Sequence, residues 1–484
     1  MDATPIVVAS NRGPVVLART NGSIEQRRGV GGLVTAVGGA LLARDATWIA
    51  SAITDVDREE AAAGRGAFDV DLHLGAGARG IVHVHLADLD PAAYDLYYNE
   101  FSNRTLWFLH HDLWDSPRTP AFGAGGAEAW DAYRAVNERF AATIAEAAPR
   151  GSPVLPQDYH LSLVPALLRE RRPDLQQAFF WHIPFSSPDN YRVLPDAWGA
   201  ALLEGMLGAD IVGFHTQRWA RNFTDCCREL LGARVRGKTI SHEHGTTRVG
   251  VYPIGVNIDN LSEEAARAEV ARARASIDDV VGDRTLILRV DRTELSKNIL
   301  RGFIAYEMLL EQRPDLHERI IHLAFLTPSR HGVPEYEEYV QACKIRAAAI
   351  NERFGTPSWQ PLVVEIEDDF PRTLAAYQRY DVLVVNPVYD GMNLVAREGP
   401  CLNERDGVLV LSRNAGAAAE LAPAALIVNP FDPAGTAAAI ERALAMDRGE
   451  RQAMAARLRP LARGTSPARW LGTQLKDLSR LRDG

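Results

Sequence analysis

Short runs of apolar, often β-branched residues alternate along the whole chain with longer stretches whose apolar positions recur every three or four residues. In the first half, "PIVVAS" (5–10), "TWIAS" (47–51), "GIVHVHL" (80–86), "SPVLPQD" (152–158), "QAFFWHI" (177–183) and "DIVGFHT" (210–216) predict strands. In the second half the pattern falls on "TLILRV" (285–290), "RIIHLAFL" (319–326), "LVVEI" (362–366), "DVLVVNP" (381–387), "GVLVLS" (407–412) and "ALIVNP" (425–430). Helical periodicity fills the intervals, as at 161–171, 298–312, 335–353 and 436–446. Continuous apolar strands separated by helices imply an α/β protein with parallel sheets covered on both faces.

These strands are too many for one doubly wound sheet. The pattern breaks near "YPIGVNIDNLSEE" (252–264), where an apolar run gives way to a polar, acidic helix. The chain therefore divides into an α/β domain over residues 1–258, a second over 259–455, and a terminal segment, 456–484, whose "TSPARWLGTQLKDLSRL" predicts an amphipathic helix packing back across the domains. Two Rossmann-like domains facing one another would leave a cleft outside the C-terminal ends of their strands, where such sheets bind ligands.

A length of 484 residues suits two such domains. Lys and Arg number 53 against 62 Asp and Glu, a formal net charge of −9. That balance speaks against a general nucleic-acid binder and makes a local cluster of cations more informative. No apolar run approaches the roughly 20 residues of a membrane span. The start, "MDATPIVVASNRG", has no basic region ahead of its apolar run, so no signal peptide is expected. Cys226, Cys227, Cys343 and Cys401 fit neither zinc spacing nor a disulfide framework. The expectation is a cytoplasmic protein with reduced thiols and no membrane or nucleic-acid partner.

Residues with chemistry gather at predicted strand ends. Arg12 ends the first strand, and Gly29, Gly31 and Gly32 open the next helix, where backbone N–H groups would meet a phosphate; a tight turn is the plainer alternative. Arg292 and Lys297 in "LILRVDRTELSKN" bracket a strand-to-helix loop, with Ser296 placed to cap the helix. Two cations beside a helix start suit a departing diphosphate, although an ion pair of Arg292 with Asp291 or Glu294 would use the same residues. In "NPVYDGMNLVARE" (386–398), Asp390 and Gly391 turn sharply, a helix starts near Met392, and Glu398 lies two turns on. A carboxylate there can accept from both hydroxyls of a ribose; a purely structural turn is the alternative. Asp158 and His182 each end a strand and suit hydroxyl binding or proton transfer, while a satisfied core histidine is the alternative for His182. The acidic triplets "DVD" (69–71) and "DLD" (88–90) are too common by chance to argue for a metal, and "HHD" (110–112) and "HEH" (242–244) read as solvated loop histidines.

Together the segments "SNRGPV", "GGLVTA", "YYNEFSNRTLWF", "QDYHLSLVPALLR", "HIPFSSPD", "LLGADIVGFHTQRWARNF", "PIGVN", "VDRTELSKN", "PSR", "DGMNLVARE", "LVLSRNAGAAAEL" and "IVNPFD" resemble the trehalose-6-phosphate synthase family, retaining glycosyltransferases of the GT-B fold. The resemblance implies a nucleoside diphosphate glucose donor, glucose 6-phosphate as acceptor, no metal and no cofactor. It places Gly31, Gly32, Arg292 and Lys297 at the donor diphosphate. Asp390, Gly391, Met392, Asn393 and Leu394 fall at the donor sugar and phosphates, Glu398 at the ribose, and Phe370 near the base. His182 becomes a donor-sugar contact, Asp158 lies where donor and acceptor meet, and Arg12, Tyr98, Trp107 and Arg330 form the acceptor pocket. Asp158, His182, Arg292 and Lys297 are the implied catalytic set.

The departures matter. "RTELSKN" stands where many relatives have "RLDYxKG", and Gln157 precedes Asp158 where they have His; both variants resemble a bacterial subgroup that uses GDP-glucose. "WIASAIT" (48–54), with Trp48, and "NERD" (403–406) resemble instead the pseudoglycosyltransferase that forms validoxylamine A 7'-phosphate. A non-catalytic sugar-phosphate sensor would have lost donor-site residues, whereas Arg292, Lys297, Asp390 and Glu398 are present. Homo-oligomerisation is left open.

Overall fold

The computed structural model describes residues 5–29, 32–41, 44–73, 79–242, 245–330 and 333–482. The chain forms two compact units, Met1–Ile254 with Pro467–Gly484, and Gly255–Ser466. In each, the predicted apolar runs become parallel strands.

The first unit centres on Ile6–Ser10, buried at every residue as a strand covered on both faces must be. On one side lie Ala46–Ser51 and then Arg79–Ala87; on the other lie Pro153–Pro156, Gln176–Trp181, Ile211–Phe214 and Gly245–Val251, all parallel. The sheet thus grows outward first in one direction and then, after residue 87, in the other. Its edges differ from the expected parallel pattern. Ala67–His73 pairs antiparallel with Arg79–Ala87, and Thr239–His242 and Arg234–Arg236 extend the opposite edge antiparallel. Val15–Thr20 and Ser23–Arg28 form a separate hairpin.

In the second unit the parallel strands lie in the order Leu362–Ile366, Ile320–Thr327, Thr285–Arg292, Val382–Val385, Val408–Ser412 and Leu426–Val428. Numbered along the chain this is 3-2-1-4-5-6, the dinucleotide-binding order, with its reversal between Thr285–Arg292 and Val382–Val385. An apolar layer including Ile299, Phe303, Tyr306, Leu309, Leu310 and Ile350 covers the sheet.

The boundaries fall at 254/255 and 466/467 rather than at 258 and 455. The helix Ile258–Ala265 packs on Phe370–Arg379 and Val395–Leu402, which ties it to the second unit. The two chain crossings lie together: Gly255 N donates to Thr465 O over 2.8 Å, and a Cβ at Gly255 would stand 2.5 Å from that same oxygen. Of the expected terminal helical segment, Arg448–Arg463 stays with the second unit. Only Pro467–Arg482 returns to the first, burying Pro467, Trp470, Leu471, Gln474 and Leu478 along one stripe. Trp470 is fully buried, donates from Nε1 to Tyr252 O at 3.2 Å, and meets the Phe180 ring edge-on at 4.9 Å. Trp470→Ala is expected to cost about 3–5 kcal/mol by chemical denaturation, the range for truncating a buried aromatic. A loss under about 1 kcal/mol would show that this helix does not support the unit. Among the described residues, no helix is long and apolar enough to cross a membrane.

Candidate active site

In the second unit the strands on either side of the reversal deliver two neighbouring loops. Thr285–Arg292 ends with Arg289 and Asp291 buried and Arg292 exposed. The chain then makes a short 3-10 turn, Leu295–Lys297, and enters the helix Ile299–Gln312 through Asn298, whose φ is +60°. Ser296 is therefore not the helix cap: it sits inside the turn, where its carbonyl accepts from Val388 N at 2.8 Å. That bond joins the turn to the loop after Val382–Val385.

Both cations of this loop carry carboxylate partners. Arg292 Nη1 lies 2.6 Å from Glu294 Oε1, as the ion-pair alternative anticipated. Glu294 is fully buried while the Arg292 side chain is about half exposed. Lys297 Nζ lies 2.6 Å from Asp390 Oδ2, and both side chains are largely buried. Burial works against the Lys297 ammonium, but Asp390, with Asp291 and Glu294, more than offsets it, so the group is held above its ordinary range. Burial likewise works against the Glu294 carboxylate, yet Arg292, Arg330 and Lys297 hold it down at about 2. Arg330 enters through the neighbouring loop after Ile320–Thr327: its Nε is 3.9 Å from Glu294 Oε1, and Tyr336 Oη bonds its Nη1.

The second loop is shaped by backbone. Asn393 adopts φ +76°, donates to Asp390 Oδ2 at 3.1 Å and accepts from Ala396 N at 3.1 Å. The helix starts at Val395, three residues later than expected from Met392. The carbonyl of Met392 accepts from Ala417 N at 2.7 Å, and Gly416 approaches so closely that a Cβ there would lie 1.9 Å from Gly391 O. Leu394 is the last residue before that helix. Glu398, one helical turn in, accepts from Tyr377 Oη at 3.4 Å. Burial pushes its carboxyl up to about 7, against the opposing pull of that hydrogen bond. Phe370 opens the helix that carries Tyr377, about 10 Å along the axis from it at 1.5 Å per residue. Phe370 is about half exposed.

Several supporting residues were not singled out from sequence. Arg289 is fully buried; its Nη1 donates to Asp291 at 2.6 Å and to Lys297 O at 3.3 Å, and its Nη2 to Asn386 Oδ1. Asn298 Nδ2 in turn donates to Asn386 O and Pro430 O, at 2.9 and 2.7 Å. The signal was available: alternation puts Ile287, Arg289 and Asp291 on one face of an otherwise apolar strand, which marks an internal ion pair. Arg397, also fully buried, pairs with Glu420 and donates to Leu461 O at 3.2 Å.

In the first unit the reversal lies between Ile6–Ser10 and Pro153–Pro156, and the loops after these strands carry Arg12 and Asp158. Arg12 Nη2 donates to Tyr98 Oη at 3.0 Å, with the guanidinium 5.7 Å from the ring centre. Tyr98 stacks between Tyr94 and His160, on a wide π-helical segment, Leu96–Leu106, of a kind that recurs at functional sites. Trp107 follows it, buried and stacked on His111 at 3.9 Å. Asp158 is held at φ +73°; its N donates to Phe180 O at 2.7 Å and its Oδ1 accepts from His182 N at 3.1 Å. His182 Nε2 lies 2.9 Å from Gln157 Oε1, and burial, together with His215, keeps the ring neutral. This arrangement brings Asp158 and His182 together and Arg12 and Tyr98 together. Gly32 opens the helix Gly32–Leu41, and Gly31 lies outside the described residues.

One expectation is corrected here. His110 and His111 are not solvated loop residues: both are buried at the end of the helix Trp107–His111, and His110 packs edge-on to Trp181. Trp48 lies in the sheet core and donates to Ser10 Oγ at 2.8 Å, while Ser51 Oγ donates to Asn11 Oδ1 at 3.0 Å. The unusual "WIASAIT" segment thus secures the turn ahead of Arg12. Glu243 and His244 of "HEH" lie outside the described residues. Among the described residues no cluster of metal-ligating side chains occurs.

The stability of the cation loop is open to a direct test. Arg289→Met leaves Asp291 buried without its closest cation and is expected to cost about 3–5 kcal/mol. Arg289→Met with Asp291→Asn, which removes both charges, is expected to recover at least half of that loss in chemical denaturation. Equal losses in the two variants would count against a charge-pair origin.

Against known proteins, the family model Glycosyltransferase family 20 matches residues 4–480. The trehalose-6-phosphate synthase of Mycobacterium avium is 36% identical over 499 aligned residues, covering 99% of this chain and 96% of its own. The bifunctional trehalose-6-phosphate synthase/phosphatase of Thermoproteus tenax is 34% identical over 470 residues; the match covers 94% of this chain but only 61% of that longer protein. Among solved structures, an α,α-trehalose-phosphate synthase (UDP-forming) from Burkholderia xenovorans in complex with glucose-6-phosphate superposes with a TM-score of 0.84. It is 28% identical, with 99% of this chain and 100% of that one covered.

Proposed function

The chain belongs to glycosyltransferase family 20, whose trehalose-6-phosphate synthases work with retention, and from that premise we propose that it is a trehalose-6-phosphate synthase. It transfers glucose from a nucleoside diphosphate glucose to glucose 6-phosphate. The observation that carries this reading is that Arg292, Lys297, Asp390 and, in the helix that follows, Glu398 all come after the two strands flanking one sheet reversal.

In the reaction the anomeric C–O bond breaks with its electrons going to the diphosphate oxygen. The acceptor hydroxyl oxygen bonds the same face of the anomeric carbon, and its proton passes to the departing diphosphate. Arg292 and Lys297 stabilise the charge that grows on that leaving group. Lys297 is already charged and anchored by Asp390, so little reorganisation is needed at the moment of transfer. Neutral His182, oriented by Gln157, serves as a hydrogen-bonding group to the donor sugar rather than as a proton carrier. Arg12, Tyr98, Trp107, Asp158 and Arg330 are the residues read as acting on the acceptor, Arg12 and Arg330 through its phosphate.

The donor is proposed to be GDP-glucose, from the "RTELSKN" and "QDYH" forms of the two motifs. UDP-glucose is the competing donor, since the Burkholderia xenovorans relative is named as UDP-forming. The pseudoglycosyltransferase reading is less favoured because its marker segments are committed to packing. Trp48 lies in the sheet core, and the Asn403 side chain bonds Tyr377 O, Tyr380 O, Arg405 N and Gly407 N.

Nucleotide release from GDP-, UDP- and ADP-glucose, measured with glucose 6-phosphate, tests the proposal. GDP release with a phosphorylated disaccharide product is expected; silence with every donor would sink the synthase reading. Lys297→Met should lower kcat by about 10²–10³ with a smaller change in donor KM, as for loss of a preorganised group that acts on the transition state.

Glu398 predicts a pH dependence. Its carboxyl is protonated below about 7, so donor affinity should rise as pH increases from 6 to 8 and the anionic acceptor for the ribose forms. Calorimetry with the intact nucleotide sugar, which does not itself titrate there, should show this several-fold gain with proton release. Glu398→Gln should bind weakly and flatly across the range. An unchanged slope in Glu398→Gln would assign the pH effect elsewhere.

A further inference from the structure

Glu294 serves two arginines through one oxygen. Its side chain is fully buried, and Oε1 lies 2.6 Å from Arg292 Nη1, 3.9 Å from Arg330 Nε and 2.9 Å from Ser329 Oγ. Oε2 is buried with no hydrogen-bond partner among the described residues. The loops that carry the two arginines follow adjacent parallel strands and are joined by backbone as well. Thr293 N donates to Thr327 O at 2.8 Å, and Ser329 N to Thr293 Oγ1 at 3.1 Å. Arg292 is the residue read above as acting on the donor diphosphate; Arg330, read above as part of the acceptor pocket, is a guanidinium suited to the phosphate of the acceptor.

We propose that Glu294 is a shared counter-ion that makes binding of the donor diphosphate and of the acceptor phosphate cooperative. The proposal rests on the functional reading above. The carboxylate is engaged chiefly by Arg292, the nearer cation. A bound diphosphate gives Arg292 a stronger anionic partner and draws it away. A fully buried carboxylate cannot be left without a cation, so Glu294 then pulls Arg330 Nε into hydrogen-bond range. With Tyr336 already on Nη1, the guanidinium becomes fixed in plane and presents its outer N–H groups to a second anion. Cooperativity is reciprocal by linkage: the acceptor phosphate tightens donor binding by the same factor. Glu294 is thus a positioning residue, acting on both substrates through the arginines it holds.

The test is calorimetric titration of glucose 6-phosphate into the full chain, with and without a saturating amount of the nucleoside diphosphate that the release assay yields. In the wild type the nucleotide should tighten glucose 6-phosphate binding at least fivefold. In Glu294→Gln, which keeps the shape and the Ser329 contact but not the charge, each ligand should still bind and the factor should fall to within twofold of unity. Arg292→Met, whose fold is checked by chemical denaturation beside the wild type, frees Glu294 for Arg330 permanently. It should bind glucose 6-phosphate without nucleotide at least fivefold more tightly than the wild type does, and gain nothing further from nucleotide. A merely structural role for Glu294 would not produce that gain. Full coupling retained in Glu294→Gln, or no tightening in Arg292→Met, overturns the proposal while leaving the synthase reading intact. Failure of the wild type to bind glucose 6-phosphate at all overturns both.

Discussion

A parallel sheet that grows first one way and then the other must, at one point, send the chain away from two adjacent strands in opposite directions. The loops leaving those strands cannot cover one another, and a crevice remains that no packing within the sheet can fill. In this protein each unit contains one such reversal, and the residues proposed to act on substrate sit at both. Arg12 and Asp158 follow Ile6–Ser10 and Pro153–Pro156; Arg292, Lys297 and Asp390 follow Thr285–Arg292 and Val382–Val385. The chemistry is located by topology before any side chain is considered. The cations, carboxylates and neutral imidazole on those loops suit the anion with hydroxyls proposed above as substrate.

Charges placed in such a crevice have to be stabilised by the protein itself as well as by a ligand. The second unit does this by pairing each cation with a buried carboxylate, Lys297 with Asp390 and Arg292 with Glu294. Beneath them the fully buried Arg289–Asp291 pair holds the loop from inside. Glu398 is the exception, a carboxyl whose nearest polar contact is a phenol, and burial pushes it up to about 7. Because the folded state keeps this proton longer than the unfolded chain does, stability falls as pH rises from the ordinary carboxylate range toward 7. The carboxylate form proposed to bind ribose is therefore the one that folding disfavours. Such opposition between stability and function is expected where a group must meet a ligand rather than the protein.

What sequence conveyed followed the same physics. Strands covered on both faces are continuous apolar runs, and Ile6–Ser10, Thr285–Arg292 and Val382–Val385 were legible for that reason, together with the polar residues at their ends. The separate hairpin was not, because its strand Ser23–Arg28 is exposed at every position and carries no apolar period. The cap at Ser296 was misplaced because a 3-10 turn and a left-handed Asn298 intervene before the helix, and neither leaves a periodic trace. Glu294 was anticipated from sequence as an ion-pair partner of Arg292 alone. That one of its oxygens serves Arg292 and Arg330 together depends on the pairing of Thr285–Arg292 with Ile320–Thr327, a contact no local pattern encodes.

The same limit applies to the C-terminal stretch, whose helical period was plain but whose allegiance was not. The chain passes from the second unit to the first at 466/467, and on each side of that crossing it supports a residue near a proposed site. Before it, the carbonyls of Leu461 and Ala462 accept from Arg397, at 3.2 and 3.4 Å, in the helix that carries Glu398. After it, Trp470 packs 5.9 Å from the His182 ring and meets Phe180 edge-on. A segment with no reactive group of its own therefore helps fix the orientation of a carboxylate in one unit and an imidazole in the other. Amphipathicity alone could predict that this stretch would be buried. Which side chains it would steady follows only from the fold, because the guanidinium's carbonyl partners lie 64 and 65 positions along the chain and the indole's lies 218 positions back.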